Sequence, residues 1–165
     1  MSSKVTIGSV TVTVNSDKIN AFFNNLNLNN NERKKAIKAA LRKSAYIIRK
    51  QAQTNLVNAV PATKTKGIGR NGEIYKPLKN EIAIMVFRNA SEARISLLDR
   101  RKKGSRAYIL KFFENGTKER TKGHNRGSIK ATNFFSNAAN SKMAEAEKSL
   151  EQNIIDMIKK AASKK

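Results

Sequence analysis

The spacing of apolar residues predicts two long helices, one in each half of the chain. In residues 31–60 apolar side chains recur every three or four positions, at Ile37, Leu41, Ala45, Ile48, Ala52, Leu56 and Ala59. This period places them on one face of a helix, and Pro61 predicts its end. The same spacing marks residues 133–165, where Asn133 is placed to cap the second helix.

Alternation of apolar and polar residues predicts strands in the remaining segments. Residues 5–14 alternate valine or isoleucine with threonine or serine, which indicates a half-buried strand or a hairpin interrupted at Gly8. Residues 81–89, 92–99 and 107–115 are also rich in strand-forming side chains and are separated by short polar connections. We expect these three segments to form an antiparallel meander.

The order of these elements predicts a single domain over residues 1–165 of the α+β class. An antiparallel sheet of three to five strands is expected to pack against the two long amphipathic helices. The predicted segments are an N-terminal strand and short helix (1–30), a long helix (31–60), a flexible basic loop or hairpin tip (61–80), a β-meander (81–117), a basic loop (118–132) and a C-terminal helix (133–165).

The charge balance predicts a class of partner for this fold. The chain has 34 Lys and Arg residues against 12 Asp and Glu, which gives a formal net charge of +22. Such a surface attracts phosphate polyanions without specifying their sequence. The alternative explanation of the high charge is a general compositional bias toward lysine and asparagine. We interpret the basic face of the first helix as solvated, with a phosphate track as the other reading.

Motifs for catalysis and for cofactor or metal binding are not recognisable in the sequence. There is no cysteine, and the single histidine, His124, has no neighbouring carboxylate pair. The glycines at 67, 69 and 72 match a dinucleotide-binding pattern, but no strand precedes them and Pro77 opposes a following helix. Basic neighbours are expected to keep Glu114 and Glu119 ionised, and thus poor general acids. We therefore expect no enzyme activity, no catalytic residue, no cofactor and no metal.

The sequence also gives no reason to expect a membrane protein. The N-terminal segment alternates in polarity where a signal peptide would have an unbroken apolar run, and no stretch of eighteen apolar residues is present.

The order of elements and motifs from Asn31 onward resembles the neck or tail-completion family of tailed bacteriophages. In that family a strand ends in aromatic-Glu-x-Gly-Thr, a variable loop follows, and a Pro-Phe-like pair and an alanine open the C-terminal helix. The matching residues here are Tyr108, Phe113, Glu114, Gly116, Thr117, Phe134, Phe135 and Ala138. The family's proline before the aromatic pair is replaced by Asn133.

The resemblance implies a structural virion protein that forms a homo-oligomeric ring at the head-to-tail junction. The protein would be made in the host bacterial cytoplasm and would contact portal- or adaptor-side and tail-tube-side proteins. Double-stranded DNA would pass through its lumen, held by sequence-independent phosphate contacts. The basic residues that would make them are Arg100, Arg101, Lys102, Lys103, Arg106, Lys118, Arg120, Lys122 and Arg126. The alternative for both basic segments is a solvated tip.

The charge alone also fits a different class, a small basic cellular DNA- or RNA-binding protein. RNA-binding sheets display interleaved aromatic residues for base stacking, and no such signature is present. A nuclease or toxin is disfavoured because no acid-base cluster is visible.

Overall fold

The computed structural model describes residues 4–6, 9–13, 30–69, 71–97, 106–119 and 127–163. Within these ranges the protein has mixed helices and strands, with a small antiparallel sheet packed against helices. The helices are α1 (Asn30–Ala59), α2 (Tyr108–Asn115) and α3 (Phe134–Ala162). The strands are β1 (Lys4–Thr6), β2 (Ser9–Thr13), β3 (Gly67–Ile68), β4 (Ile74–Tyr75), β5 (Ala83–Val86) and β6 (Glu92–Ser96), and two 3₁₀ turns are η1 (Pro61–Lys64) and η2 (Leu78–Glu81).

The main sheet has four antiparallel strands in the order β1-β2-β6-β5. The N-terminal hairpin therefore joins the sheet beside β6, with Val12 opposite Ala93. Because side chains alternate between the two faces of a strand, Val12, Ala93 and Ile95 all lie buried on one face. That face packs against α1.

Helix α1 lies at the centre of the fold, in contact with the sheet and with α3. Its apolar stripe is buried from Leu41 to Leu56, and small residues such as Ala45 and Ala52 alternate with Leu41 and Ile48. Helix α3 meets α1 with a face that also combines alanines and larger residues. The small side chains let the two helix backbones approach closely while the large ones fill the space between. The two predicted long helices are thus confirmed: both ends of α1 and the start of α3 differ from the prediction by one residue, and α3 ends at Ala162.

The prediction of a strand over residues 107–115 was wrong, because this segment forms helix α2. Its apolar residues are spaced by four rather than two. Tyr108 and Phe112 are neighbours on the exposed side of this helix, one turn apart. Leu110 and Glu114, also one turn apart, are buried on the opposite side. The predicted three-stranded meander is therefore a hairpin of β5 and β6.

The segment 61–80, predicted as a flexible basic loop or a hairpin tip, contains regular structure. Turn η1 continues from the end of α1, the β3–β4 hairpin follows, and η2 leads into β5. The short helix predicted within 1–30 lies outside the described residues.

Candidate functional site

The end of α2 and the start of α3 form one hydrogen-bonded unit, which we call the α2–α3 junction (residues 113–117 with 129–136). At its centre is Glu114, whose side chain is only 2% exposed. One carboxylate oxygen accepts the backbone N–H of Phe135 at 2.8 Å. The other accepts the backbone N–H of Ser136 at 3.0 Å and the Ser136 hydroxyl at 2.5 Å. Glu114 therefore caps α3 from a different helix.

This arrangement replaces the cap that was expected from Asn133. Asn133 adopts a left-handed conformation with φ of 48°, and its side chain makes no capping hydrogen bond. The first N–H groups of a helix have no partner within the helix, and they attract negative charge through the helix dipole. Glu114 supplies both the acceptor and the charge. The buried Phe134 and Phe135 then close the start of α3 against the core.

Hydrogen bonds join the two segments of the junction, residues 113–117 and residues 129–136, on either side of Glu114. The Thr117 N–H donates to the Ile129 carbonyl at 2.9 Å, and the Ile129 N–H donates to the Thr117 hydroxyl at 2.9 Å. Closer to the helices, the Thr132 hydroxyl donates to the Phe113 carbonyl at 2.7 Å. The ends of the segment 118–128 are consequently fixed next to each other.

Gly116 is required at its position for two independent reasons. Its φ of +72° belongs to a region that residues with a Cβ rarely adopt. A Cβ there would also lie 2.8 Å from the Ile129 carbonyl oxygen and 2.9 Å from the Ala131 backbone nitrogen. A side chain at residue 116 would thus push apart the two segments of the junction.

The structure brings together most of the residues that carry the family resemblance. Phe113, Glu114, Gly116, Thr117, Phe134 and Phe135 belong to the junction, and Ala138 is buried one turn further along α3. Tyr108 is separate from them, because it faces solvent at 53% exposure and its ring meets Phe112 edge-on at 6.2 Å.

Of the nine basic residues expected to contact DNA, the structure describes two. Lys118 is exposed beside the junction. Arg106 is half-buried, and its guanidinium lies 4.7 Å from the ring centroid of Tyr75 in the β3–β4 hairpin. Arg106 therefore has an internal partner. The others lie outside the described residues: Arg100, Arg101, Lys102, Lys103, Arg120, Lys122 and Arg126.

The β3–β4 hairpin is attached to the body through one face and exposes the other. Arg106 contacts both Tyr75 and Gly67, which form one cross-strand pair. Ile68 and Ile74 form the next pair and are 81% and 73% exposed. Ile68 and Ile74 therefore form a small exposed apolar patch that is available for contact with another protein surface.

Tyr75 is the ionisable residue of the hairpin with a shifted pKa. Its hydroxyl is hydrogen-bonded to the Glu73 carboxylate. That hydrogen bond, followed by the negative charge of Glu73, raises the pKa of Tyr75 above its ordinary value, while Arg106 opposes the shift. The hairpin tip thus contains a small polar network beside its exposed isoleucines.

The described residues contain no group of three histidine, cysteine, aspartate or glutamate side chains positioned to hold a metal ion. None of the helices in the described part of the chain is long and apolar enough to cross a membrane. Comparisons with protein-family models, curated proteins and solved structures gave no match.

Sequence reasoning named Glu114 as a motif residue but missed its role as a remote helix cap. The sequence signal that indicated a remote cap was the start of α3. Two successive phenylalanines follow Asn133, and a helix end buried by such large side chains needs an acceptor from elsewhere in the fold.

Proposed function

We propose that this protein is a structural virion component of a tailed bacteriophage that forms an oligomeric ring at the head-to-tail junction. The ring completes the neck or tail and allows double-stranded DNA to pass through its lumen. It contacts portal- or adaptor-side proteins at one end and tail-tube-side proteins at the other. The subunit is made in the cytoplasm of the host bacterium and has no enzymatic role.

The observation that carries this proposal is the α2–α3 junction. The Glu-x-Gly-Thr segment resembles the family motif, and the structure gives each of its fixed positions a physical task. Glu114 caps α3, Gly116 permits close backbone approach, and Thr117 bonds to Ile129. The family motif ends a strand, whereas here it ends helix α2, so the support comes from the cooperation of these residues and not from their secondary structure.

The β3–β4 hairpin supports the ring part of the proposal. A closed ring needs two different subunit surfaces that meet head to tail. Ile68 and Ile74 supply an apolar contact on one of them, and burial of an isoleucine stabilises an interface by about 1.5–3 kcal/mol. The neighbouring subunit is the partner that this proposal assigns to the hairpin.

Light scattering coupled to size-exclusion chromatography, with negative-stain imaging of the peak, tests the ring. We expect concentration-dependent oligomers from the wild-type chain. The double variant Ile68→Ser/Ile74→Ser should associate at least about tenfold more weakly with unchanged thermal stability, because about 1.4 kcal/mol of lost interface energy corresponds to tenfold. Ile155→Ser, at an exposed isoleucine of α3, is the matched control. A wild-type protein that stays monomeric at high concentration contradicts the proposal.

The net charge of +22 favours a second candidate, a small cellular DNA- or RNA-binding protein. The two functions differ in sequence preference. A ring lumen binds any duplex with a strong salt dependence, whereas a monomer that prefers one nucleic-acid sequence supports the second candidate.

A further inference from the structure

A basic depression lies beside the C-terminal half of α1. It has a volume of about 230 Å³ and is bordered by α1, η1 and η2. The residues that line it are Lys50, Gln53, Thr54, Val57, Asn58, Lys64 and Lys79. Three lysines thus surround a surface pocket, and the described lining has no acidic side chain.

The backbone that presents these lysines is held in place by hydrogen bonds. The Gln53 side-chain amide donates to the Lys79 carbonyl at 3.0 Å, which fixes η2 against α1. At the end of α1, the buried Thr63 hydroxyl donates to the Val60 carbonyl at 2.7 Å and fixes η1. Lys50, Lys64 and Lys79 are therefore gathered by tertiary structure, from positions up to 29 residues apart in the sequence.

The local field reduces the cost of gathering these three positive charges. The carbonyl groups at the C-terminal end of a helix carry partial negative charge, which favours nearby cations. Val57 and Asn58, in the last turn of α1, line the pocket, which therefore lies beside this end of the helix. A bound phosphate would remove the remaining repulsion among the lysines.

The same face of α1 continues the basic surface away from the pocket. Lys43, Tyr46 and Lys50 are spaced by three and four residues, so they share one side of the helix. Tyr46 is 51% exposed between the two lysines. We call the set of Lys43, Tyr46, Lys50, Lys64 and Lys79 the α1 lysine surface.

We propose that the α1 lysine surface binds the backbone phosphates of double-stranded DNA. Its lysines are exposed or half-buried, so each contact is weak and affinity must come from several phosphates along one polymer rather than from a single free anion. A single tyrosine provides no platform on which successive bases of a single strand could stack. The surface binds DNA through the charge of the phosphates, independently of the base sequence. It does not depend on ring formation.

Fluorescence anisotropy with a short labelled duplex at several KCl concentrations tests this surface. The triple variant Lys50→Gln/Lys64→Gln/Lys79→Gln removes three charges and keeps the length of the side chains. Each phosphate contact contributes about 0.9 to the slope of log affinity against log salt, so the slope should become shallower by about 2 to 3. The matched control is Lys148→Gln/Lys159→Gln/Lys160→Gln on the exposed face of α3, which should change the slope by less than about 1.

Equal changes in slope for the two triple variants would overturn the proposal, because the binding would then follow net charge alone. Tighter binding of a single-stranded RNA of equal length, lost in the same pocket variant, would also overturn the assignment to duplex DNA. Lys50→Gln and Lys148→Gln, each at one exposed helical position, provide the same comparison if the triple variant unfolds. The oligomeric state, measured separately, distinguishes failure of this surface from failure of the ring.

Discussion

The α2–α3 junction and the β3–β4 hairpin both interrupt the helical framework, but they are held by different forces. In the junction a buried carboxylate and several backbone hydrogen bonds satisfy the polar groups of two helix ends. The hairpin has two cross-strand pairs and is attached through Arg106 and Tyr75. Its isoleucines remain in water.

This difference separates the part of the protein that defines the fold from a part that is free to make contacts. The junction cannot change without exposing the N-terminus of α3 and the apolar residues beside it. The outer face of the hairpin can change at little cost to the subunit. Substitutions in the two regions should therefore have opposite signatures, in stability for the junction and in association for the hairpin.

The largest effect is expected from Glu114. Glu114→Ala removes the acceptor of three hydrogen bonds and a charge favoured by the dipole of α3. We expect a loss of about 3 kcal/mol in the free energy of unfolding, since charged hydrogen bonds contribute about 1.5–3 kcal/mol and helix caps about 1 kcal/mol. Urea denaturation at neutral pH measures it.

Ser136→Ala is the control for that experiment, because it removes one of the three hydrogen bonds and leaves the carboxylate on the helix end. It should cost about 1 kcal/mol. If Glu114→Ala is no more destabilising than Ser136→Ala, the carboxylate does not act as the cap of α3.

An intermediate effect is expected from glycine substitutions that compare the two regions directly. Gly116 and Gly72 have similar positive φ angles of 72° and 76°, but only Gly116 has neighbouring backbone atoms where a Cβ would lie. Gly72→Ala should cost about 1 kcal/mol from backbone strain alone. Gly116→Ala should cost about 1–2 kcal/mol more, because the junction must also separate.

Thermal and urea unfolding of these two variants provides the measurement. Equal losses would show that the close backbone approach at Gly116 relaxes without cost, which would weaken the contrast between the rigid junction and the hairpin.

The smallest effect is a pH dependence confined to the hairpin. The pKa of Tyr75 is raised in the folded protein, mainly by its hydrogen bond to Glu73. The stability from this contact is therefore fully present below the unfolded pKa of about 10 and is lost as the pH rises through the higher folded pKa. In an alkaline titration followed by tyrosinate absorbance, Tyr75 should ionise later than the ordinary tyrosine range.

Glu73→Gln should bring that ionisation to lower pH, and Tyr75→Phe should remove the late step. Unchanged titration in Glu73→Gln would mean that another group shifts Tyr75. Neither substitution should affect the cap of α3, because the two regions share no hydrogen bond among the described residues.

Sequence patterns were sufficient for the elements whose burial is strongly one-sided. The stripe from Ile37 to Leu56 predicted α1 to within about one residue at each end, because a regular period over many turns has no competing interpretation. The pairing of β5 with β6 was also predicted, since two short segments with a tight connection favour an antiparallel hairpin.

Helix α2 was missed because it is short and rich in residues with high strand propensity. Tyrosine, isoleucine and phenylalanine occupy four of its eight positions. Its capping partner, α3, is distant in sequence, and tertiary contacts decide the conformation of such a segment. The pairs Tyr108 with Phe112 and Ile109 with Phe113 were the local signal for a helix.

For the candidate sites, the sequence predicted which types of residue take part but not how they are arranged in space. The sequence identified Glu114, Gly116 and Thr117 as a motif, but the capping geometry arises where two chain segments meet. The α1 lysine surface was similarly hidden, because Lys50, Lys64 and Lys79 become neighbours only after η1 and η2 fold against α1. A count of charges does not reveal such a cluster.

The hydrogen bonds between Thr117 and Ile129 also make the protein tolerant of evolutionary insertion at one place. Since both ends of the intervening segment are fixed by the junction, doubling its length costs only about 0.6 kcal/mol in chain entropy. Related proteins could therefore exchange this segment for longer or shorter ones, or for sequences with other binding preferences. The same position would accept a foreign peptide for display.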